Sequence, residues 1–341
     1  MIQNLVRKNI LQLQPYSSAR DEFKGEAEVY LDANENPYPT QYNRYPDPLQ
    51  LRLKERISEL KGVRPSQIFL GNGSDEAIDL LIRMFCEPNN DSILITEPTY
   101  GMYAVCAAIN AVSVQRASLT PVFAIDLDSI LRTVATSTKI IFLCSPNNPS
   151  GNLLEKRKIE TLLQKFTGIV VVDEAYIDFA DDPGFIEKLN TYPNLVILQT
   201  LSKAWGLAGL RLGMCFASEE IISLLNKIKY PYNINSFTQQ KVLEALNNFQ
   251  QKETWVVELV EERKKMKNEL SKLSIVKNVF PSDANFLLVQ IENASDIYKI
   301  LLDQKIIIRD RSRIQLCEDC LRITIGTPVE NNRLLTVLKE V

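Results

Sequence analysis

One lysine in this chain stands where a lysine can do covalent chemistry. The run Leu195-Val-Ile-Leu-Gln-Thr-Leu-Ser-Lys-Ala-Trp-Gly-Leu-Ala-Gly-Leu-Arg-Leu-Gly213 begins as a buried-type strand and stops at a polar Thr-x-Ser-Lys. Ligands of open parallel sheets sit beyond the carboxyl ends of the strands. A lysine placed there forms an imine with a carbonyl once its surroundings lower its pKa. Thr200, Ser202 and Arg211, the last lying eight residues beyond Lys203, add two hydroxyls and a guanidinium able to hold a phosphate. The competing reading of Lys203 is a solvated surface lysine after a strand, the ordinary state of that residue.

A second strand, Gly168-Ile-Val-Val-Val-Asp-Glu-Ala-Tyr176, ends in the same way, with Asp173 and Tyr176 just past the apolar run. A carboxylate at that depth requires a partner. The pyridinium nitrogen of pyridoxal phosphate is such a partner, because a protonated ring accepts electrons from a substrate carbanion. Asp173 could equally cap a helix. A third strand, Ile140-Ile-Phe-Leu143, runs into Cys144-Ser-Pro-Asn-Asn-Pro-Ser-Gly151, a loop of turn-favouring residues that would aim the Asn148 amide across the same edge. In Leu70-Gly-Asn-Gly-Ser-Asp-Glu76, glycines lead into a helix start and expose backbone N–H groups to an anion. Such turns are common, and this one gains weight only from its company.

The elements that must position these residues follow from pattern. Ile68-Leu70, Ser92-Ile95, Ile140-Leu143, Ile169-Val172 and Leu195-Leu198 are short apolar runs suited to parallel strands covered on both faces. Helical patterns alternate with them, as in crossover α/β units. Over Asp75-Phe85, Ile78, Leu81, Ile82 and Phe85 repeat at i, i+3, i+4, i+7 and form one core stripe. Helical spacing from Leu49 to Leu60 ends at Gly62. A long helical stretch from about Thr238 to Leu273 leads to a second block with strands at Asn285-Gln290, Ile306-Arg309 and Leu321-Ile325. Along that stretch Glu258, Glu261, Glu262, Arg263, Lys264, Lys265 and Lys267 read as a face that only meets water. The reading is an arm over 1–45, whose Asn, Pro and Tyr exclude long helices, a large domain over 46–235 and a small one over 236–341.

Composition removes several function classes. The 341 residues, at 45% hydrophobic and 24% charged, suffice for a large core without disulfides. There is no histidine, which excludes Ser-His-Asp hydrolases and His-ligated zinc enzymes and leaves proton transfer to Lys, Tyr, Cys, Asp or Glu. A net charge of -3 argues against a nucleic-acid partner. No apolar run nears the roughly 20 residues that span a bilayer, and no signal segment is expected. The six scattered cysteines fit a reduced, cytoplasmic protein, and Cys317-Glu-Asp-Cys320 alone completes no metal site.

Taken together, Asp32-Ala-Asn-Glu-Asn-Pro37, Arg44-Tyr-Pro46, Gly71-Asn-Gly-Ser-Asp-Glu76, Pro98-Thr-Tyr-Gly-Met-Tyr103, Ser145-Pro-Asn-Asn-Pro-Ser-Gly151, Asp173-Glu-Ala-Tyr176, Thr200-Leu-Ser-Lys203, Gly209-Leu-Arg211 and Leu321-Arg-Ile-Thr-Ile-Gly-Thr327 resemble the fold-type-I aminotransferases of the aspartate aminotransferase superfamily. Within it the chain is most similar, over essentially its whole length, to the histidinol-phosphate aminotransferase subgroup. Trp205 and Ser150 depart from the usual smaller aromatic and threonine without removing a functional group.

The resemblance implies an α/β fold, with a mostly parallel central sheet covered by helices, a smaller C-terminal α/β domain and an N-terminal arm. It implies pyridoxal 5′-phosphate on Lys203, which would also move the substrate proton. Asp173 would pair with the ring nitrogen, Asn148 and Tyr176 with the ring oxygen, and Tyr100 would stack on the ring. Thr200, Ser202, Arg211 and the Gly73-Ser74 backbone would hold the phosphate, and Tyr45 would reach it from the other subunit of a homodimer. Arg322 would bind the substrate's acidic group, with Arg309 a second phosphate contact and Tyr16 closing the pocket. The implied substrates are histidinol phosphate and 2-oxoglutarate or glutamate, the alternatives being an aromatic amino acid or decarboxylation of threonine phosphate.

Overall fold

The structure, a computed structural model, describes residues 2–16 and 28–341. Its larger sheet has seven strands in the order β1-β7-β6-β5-β4-β2-β3. They are β1 (Ile68–Asn72), β2 (Ser92–Glu97), β3 (Ser113–Ser118), β4 (Thr138–Cys144), β5 (Ile169–Asp173), β6 (Leu195–Thr200) and β7 (Leu212–Ala217). The run from β6 through β5, β4 and β2 to β3 is parallel, as the continuous apolar runs imply. Strand β7 runs against both β6 and β1, so one reversed strand sits inside the sheet.

Alternate side chains of the sheet feed two separate cores. Leu70, Ile141, Leu143, Val170, Val172 and Ile197 point into one. Phe69, Ile140, Phe142, Val171, Val196 and Leu198 point into the other, where the expected stripe Ile78, Leu81, Ile82 and Phe85 of a helix over Ser74–Phe85 meets them. The sheet is thus covered on both faces. The helix Leu51–Lys61 ends at Gly62, whose φ of 68° is the left-handed conformation that closes helices.

Four antiparallel strands form the smaller sheet, in the order β10-β11-β9-β8, with β8 (Val276–Val279), β9 (Phe286–Ile291), β10 (Arg309–Asp310) and β11 (Cys320–Thr324). Its faces differ. Leu287, Val289, Leu321 and Ile323 pack with Met266, Leu270, Leu334 and Leu338 in a third core. Phe286, Leu288 and Cys320 turn the other way and join a core of the large sheet.

Several expectations need correction. The helical stretch from Thr238 to Leu273 is two helices, Ser236–Asn247 and Phe249–Leu270, broken at Asn248 (φ -107°, ψ 43°). Adjacent asparagines are poor helix formers, which accounts for the break. The charged face does not only meet water: Arg263 donates to the carbonyl of Ala284 at 2.6 Å, and Glu262 accepts from Asn331 at 3.1 Å. Ile306–Ile308 stay outside the strand, which covers only Arg309–Asp310. Among its described residues the amino-terminal stretch has no α-helix longer than the five-residue Lys8–Gln12, in keeping with the exclusion of long helices there.

Candidate active site

The carboxyl ends of β4, β5 and β6 open on one cavity of about 150 Å³, lined by Gly73, Ser74, Tyr100, Asn148, Asp173, Tyr176, Thr200, Ser202, Lys203 and Arg211 among others. All the residues the sequence assigned to a cofactor, Tyr45 excepted, therefore line one space. They arrive there because parallel neighbouring strands end in register, Cys144 opposite Asp173 and Asp173 opposite Leu198.

Lys203 follows the end of β6, with Nζ 5.6 Å from the centroid of the Tyr176 ring. It lines the cavity and keeps part of its surface exposed. Lost hydration lowers its pKa first and the positive charge of Arg322 second, both favouring the neutral amine. That is the form a nucleophile or base requires.

Asp173 is 2% exposed and ends strand β5 rather than capping a helix. Burial raises its pKa from 3.8 to about 6, against the opposing pull of the Tyr103 hydroxyl, which donates to Oδ2 at 2.6 Å, and the Ala175 N–H, which donates to Oδ1 at 3.1 Å. Tyr103 is fully buried, stacked on Phe142 with centroids 4.8 Å apart. No role was assigned to Tyr103 from the sequence. It lies in the helix Met102–Ile109, behind the cavity wall rather than in its lining, and reaches the site through Asp173.

Asn148 sits between two groups, its amide donating to the Tyr176 hydroxyl at 3.4 Å and its carbonyl oxygen accepting from Arg322. Arg322, on β11, thus meets the rim of the large-sheet cavity. The Tyr100 hydroxyl donates to Asp75 at 3.1 Å and its ring lies edge-on to Tyr103 at 5.5 Å.

A concave cradle forms where β1, β7 and the helix at Ser74 converge. Gly73 has φ 74° and caps that helix, and a Cβ there would lie 2.7 Å from the Arg211 guanidinium. A Cβ on Gly213 would fall 2.1 Å from the Ser74 nitrogen. Thr200 Oγ1 lies 3.0 Å from Ser202 Oγ, and Arg211, in the left-handed region at φ 54°, presents a half-exposed guanidinium 3.9 Å from Asp75. Hydroxyls, a guanidinium and a helix N-terminus bared by two glycines suit a phosphate. With a buried acid and a lysine lining the same cavity, the residues fit pyridoxal phosphate.

The remaining expected residues lie outside this lining. Tyr45 stacks on Tyr232 with centroids 4.5 Å apart, and Tyr16 is 71% exposed. Arg309 stands directly across the ladder from Arg322. All six cysteines are free and buried, and among the described residues no cluster of His, Cys, Asp or Glu is suited to a metal and no helix is long and apolar enough to cross a membrane.

Comparison with known proteins agrees with this geometry. Residues 24–338 match the family model of aminotransferase class I and II. Histidinol-phosphate aminotransferases of Parabacteroides distasonis and Cytophaga hutchinsonii are each 55% identical to this chain, over 99% of it and 98% of their own length. The solved histidinol-phosphate aminotransferase of Clostridium acetobutylicum has a TM-score of 0.81 at 29% identity, covering 88% of this chain and 91% of its own. L-threonine-O-3-phosphate decarboxylase from Porphyromonas gingivalis, at TM-score 0.70 and 22% identity over 87% of this chain and 88% of its own, shares the fold. The chain accordingly belongs to the class I and II aminotransferases and, among them, to the histidinol-phosphate aminotransferase family.

Proposed function

We propose that the chain transfers the amino group of L-histidinol phosphate to 2-oxoglutarate, giving imidazole-acetol phosphate and L-glutamate, a step of histidine biosynthesis, with pyridoxal 5′-phosphate as cofactor. The observation that carries the reading is identity of 55% to histidinol-phosphate aminotransferases over 99% of the chain.

When bound, the cofactor supplies an electron sink that weakens the substrate's Cα–H bond. The chain's residues do the rest. Lys203 would hold the cofactor and would carry the proton to and from the substrate's Cα; its lowered pKa suits both duties. Asp173 would pair with the ring nitrogen, whose positive charge would stabilise the carboxylate that burial penalises. Tyr103 holds that carboxylate in place through its hydroxyl. Asn148 and Tyr176 would bind the ring oxygen, Tyr100 would cover a ring face, and Thr200, Ser202, Arg211 and the Gly73-Ser74 backbone would hold the phosphate.

Arg322 receives the substrate's acidic group, since a planar guanidinium suits carboxylate and phosphate alike. One site can then serve both halves of a ping-pong cycle. Arg309 adds a phosphate contact and Tyr16 closes the pocket. The working form is a cytoplasmic homodimer in which Tyr45 reaches the neighbouring site, each chain divided into the arm 1–45, the large domain 46–235 and the small domain 236–341. Assaying glutamate formed from 2-oxoglutarate with histidinol phosphate, phenylalanine, tyrosine or threonine phosphate as partner tests the substrate. Preference for histidinol phosphate is expected, and faster transfer from an aromatic amino acid would overturn it.

A further inference from the structure

Arg311 was assigned no role from the sequence, and it stands in unusual company. Arg309 pairs with Arg322 across the β10–β11 ladder. The Arg311 N–H donates to the carbonyl of Cys320 at 2.9 Å, which extends that ladder by one register position. Side chains two residues apart on a strand share a face. Arg309 and Arg311 therefore lie on the same face as Cys320 and Arg322, and Cys320 turns toward the core of the large sheet. This face reaches the cavity rim, where Arg322 meets Asn148.

Three guanidinium groups thus converge without neutralisation. Among the described residues none of them has a carboxylate in ion-pair range, and the Nε atoms of Arg311 and Arg322 are buried with no acceptor. Burial first, then the charges of Arg322 and Arg309, lower the Arg311 pKa to about 10. Arg311 and Arg322 are half-buried beside the exposed Arg309, and crowded cations that lose hydration cost free energy that a bound anion offsets. A phosphate monoester carries a charge of roughly -1.5 to -2 near neutral pH and offers three acceptor oxygens, more than one carboxylate can supply.

We propose that Arg311 is a third anion-binding arginine of the substrate site and that it gives the doubly charged phosphate end its advantage over singly charged or uncharged ends. The proposal rests on the functional reading above and adds a residue to it. Arg322 serves acidic groups of either kind, whereas Arg311 answers to the second negative charge.

The test uses the cofactor-loaded enzyme with R311Q and R311K. For each, KM and kcat are measured with L-histidinol phosphate and with unphosphorylated L-histidinol, and inorganic phosphate binding is measured by calorimetry and by competition. Loss of charge-assisted hydrogen bonds should raise KM for histidinol phosphate and weaken phosphate binding by roughly ten-fold or more in R311Q. The kcat/KM ratio of phosphorylated to unphosphorylated substrate should fall by a similar factor, and R311K should recover part of both losses. Below about pH 6, where the monoester takes up a proton, the advantage of the wild type over R311Q should shrink.

Equal losses for the two substrates, or unchanged phosphate affinity in a variant that melts like the wild type, would overturn the proposal. Should R311Q fold poorly, R311K decides: it keeps one charge but loses the planar fork, so phosphate must bind more weakly in it. A wild type that binds phosphate through Arg311 yet fails to transaminate histidinol phosphate would sink the functional reading and leave the subsite standing.

Discussion

Lys203 and Asp173 are both pushed toward neutrality by burial, and the cofactor-free protein should bear the cost of that. Asp173 has a folded pKa of about 6 against an ordinary 3.8, so between those values the folded chain binds more protons than the unfolded one. Its stability contribution therefore falls as pH rises through that window and is worst above it. Relative to wild type, cofactor-free Asp173→Asn should gain on the order of 2 to 3 kcal/mol at pH 8 and nothing near pH 4. Denaturant unfolding at both pH values checks this, and comparison against wild type cancels the similarly buried Glu174, whose pKa rises to about 7. Lys203→Ala should reduce transamination by at least roughly 10³-fold, since one group serves as attachment and proton carrier, read as turnover of histidinol phosphate. At this scale much was legible: strand-end lysine, acid and asparagine line one cavity because polar residues directly after the apolar runs of parallel strands gather at the sheet's carboxyl edge. Tyr103 and Arg311 did not, because a buried tyrosine in a helix looks like core and an arginine in a loop looks like surface until the fold gives each its neighbours.

Between elements, the decisive contact is the close approach of β7 to the start of the helix Ser74–Phe85. Gly71 and Gly213 face each other across the β1–β7 ladder, and the space over Gly213 is taken by the backbone of Gly73 and Ser74. Gly213→Ala should push that helix start away, costing about 1–3 kcal/mol and weakening cofactor binding, measurable by melting and by cofactor titration. The apolar runs made the parallel strands readable. Strand β3 escaped because it is an edge strand whose side chains are mostly outside the core, and β7 because its glycine and the adjoining Arg211 read as part of the polar loop. Strand β8, only four residues with two of them exposed, carries almost no apolar signal. The helix expected over Thr238–Leu273 had continuous charge and apolar spacing, and the Asn247-Asn248 pair that divides it was the visible warning.

At the scale of the whole molecule, the two sheets meet at the site, Arg322 of the small one bonding Asn148 of the large one. The residues expected to hold the cofactor, Tyr45 excepted, line one cavity of a single chain. Tyr45 does not line the cavity of its own chain, which fits service to a neighbour. Mixing inactive Lys203→Ala with impaired Tyr45→Ala subunits decides it: hybrid dimers should regain one native site if Tyr45 crosses over, and none if it acts within its own chain. Sequence could suggest a dimer only through resemblance, since nothing in local pattern reports which surface a second copy covers. The most direct test of the account is to mix cofactor-loaded protein with L-histidinol phosphate alone and follow the cofactor's visible absorption. Bleaching that 2-oxoglutarate reverses is the expected result and establishes both half-reactions on one substrate pair. A spectrum that ignores histidinol phosphate but bleaches with an aromatic amino acid would contradict the substrate assignment, and one unmoved by any amine would contradict catalysis at Lys203.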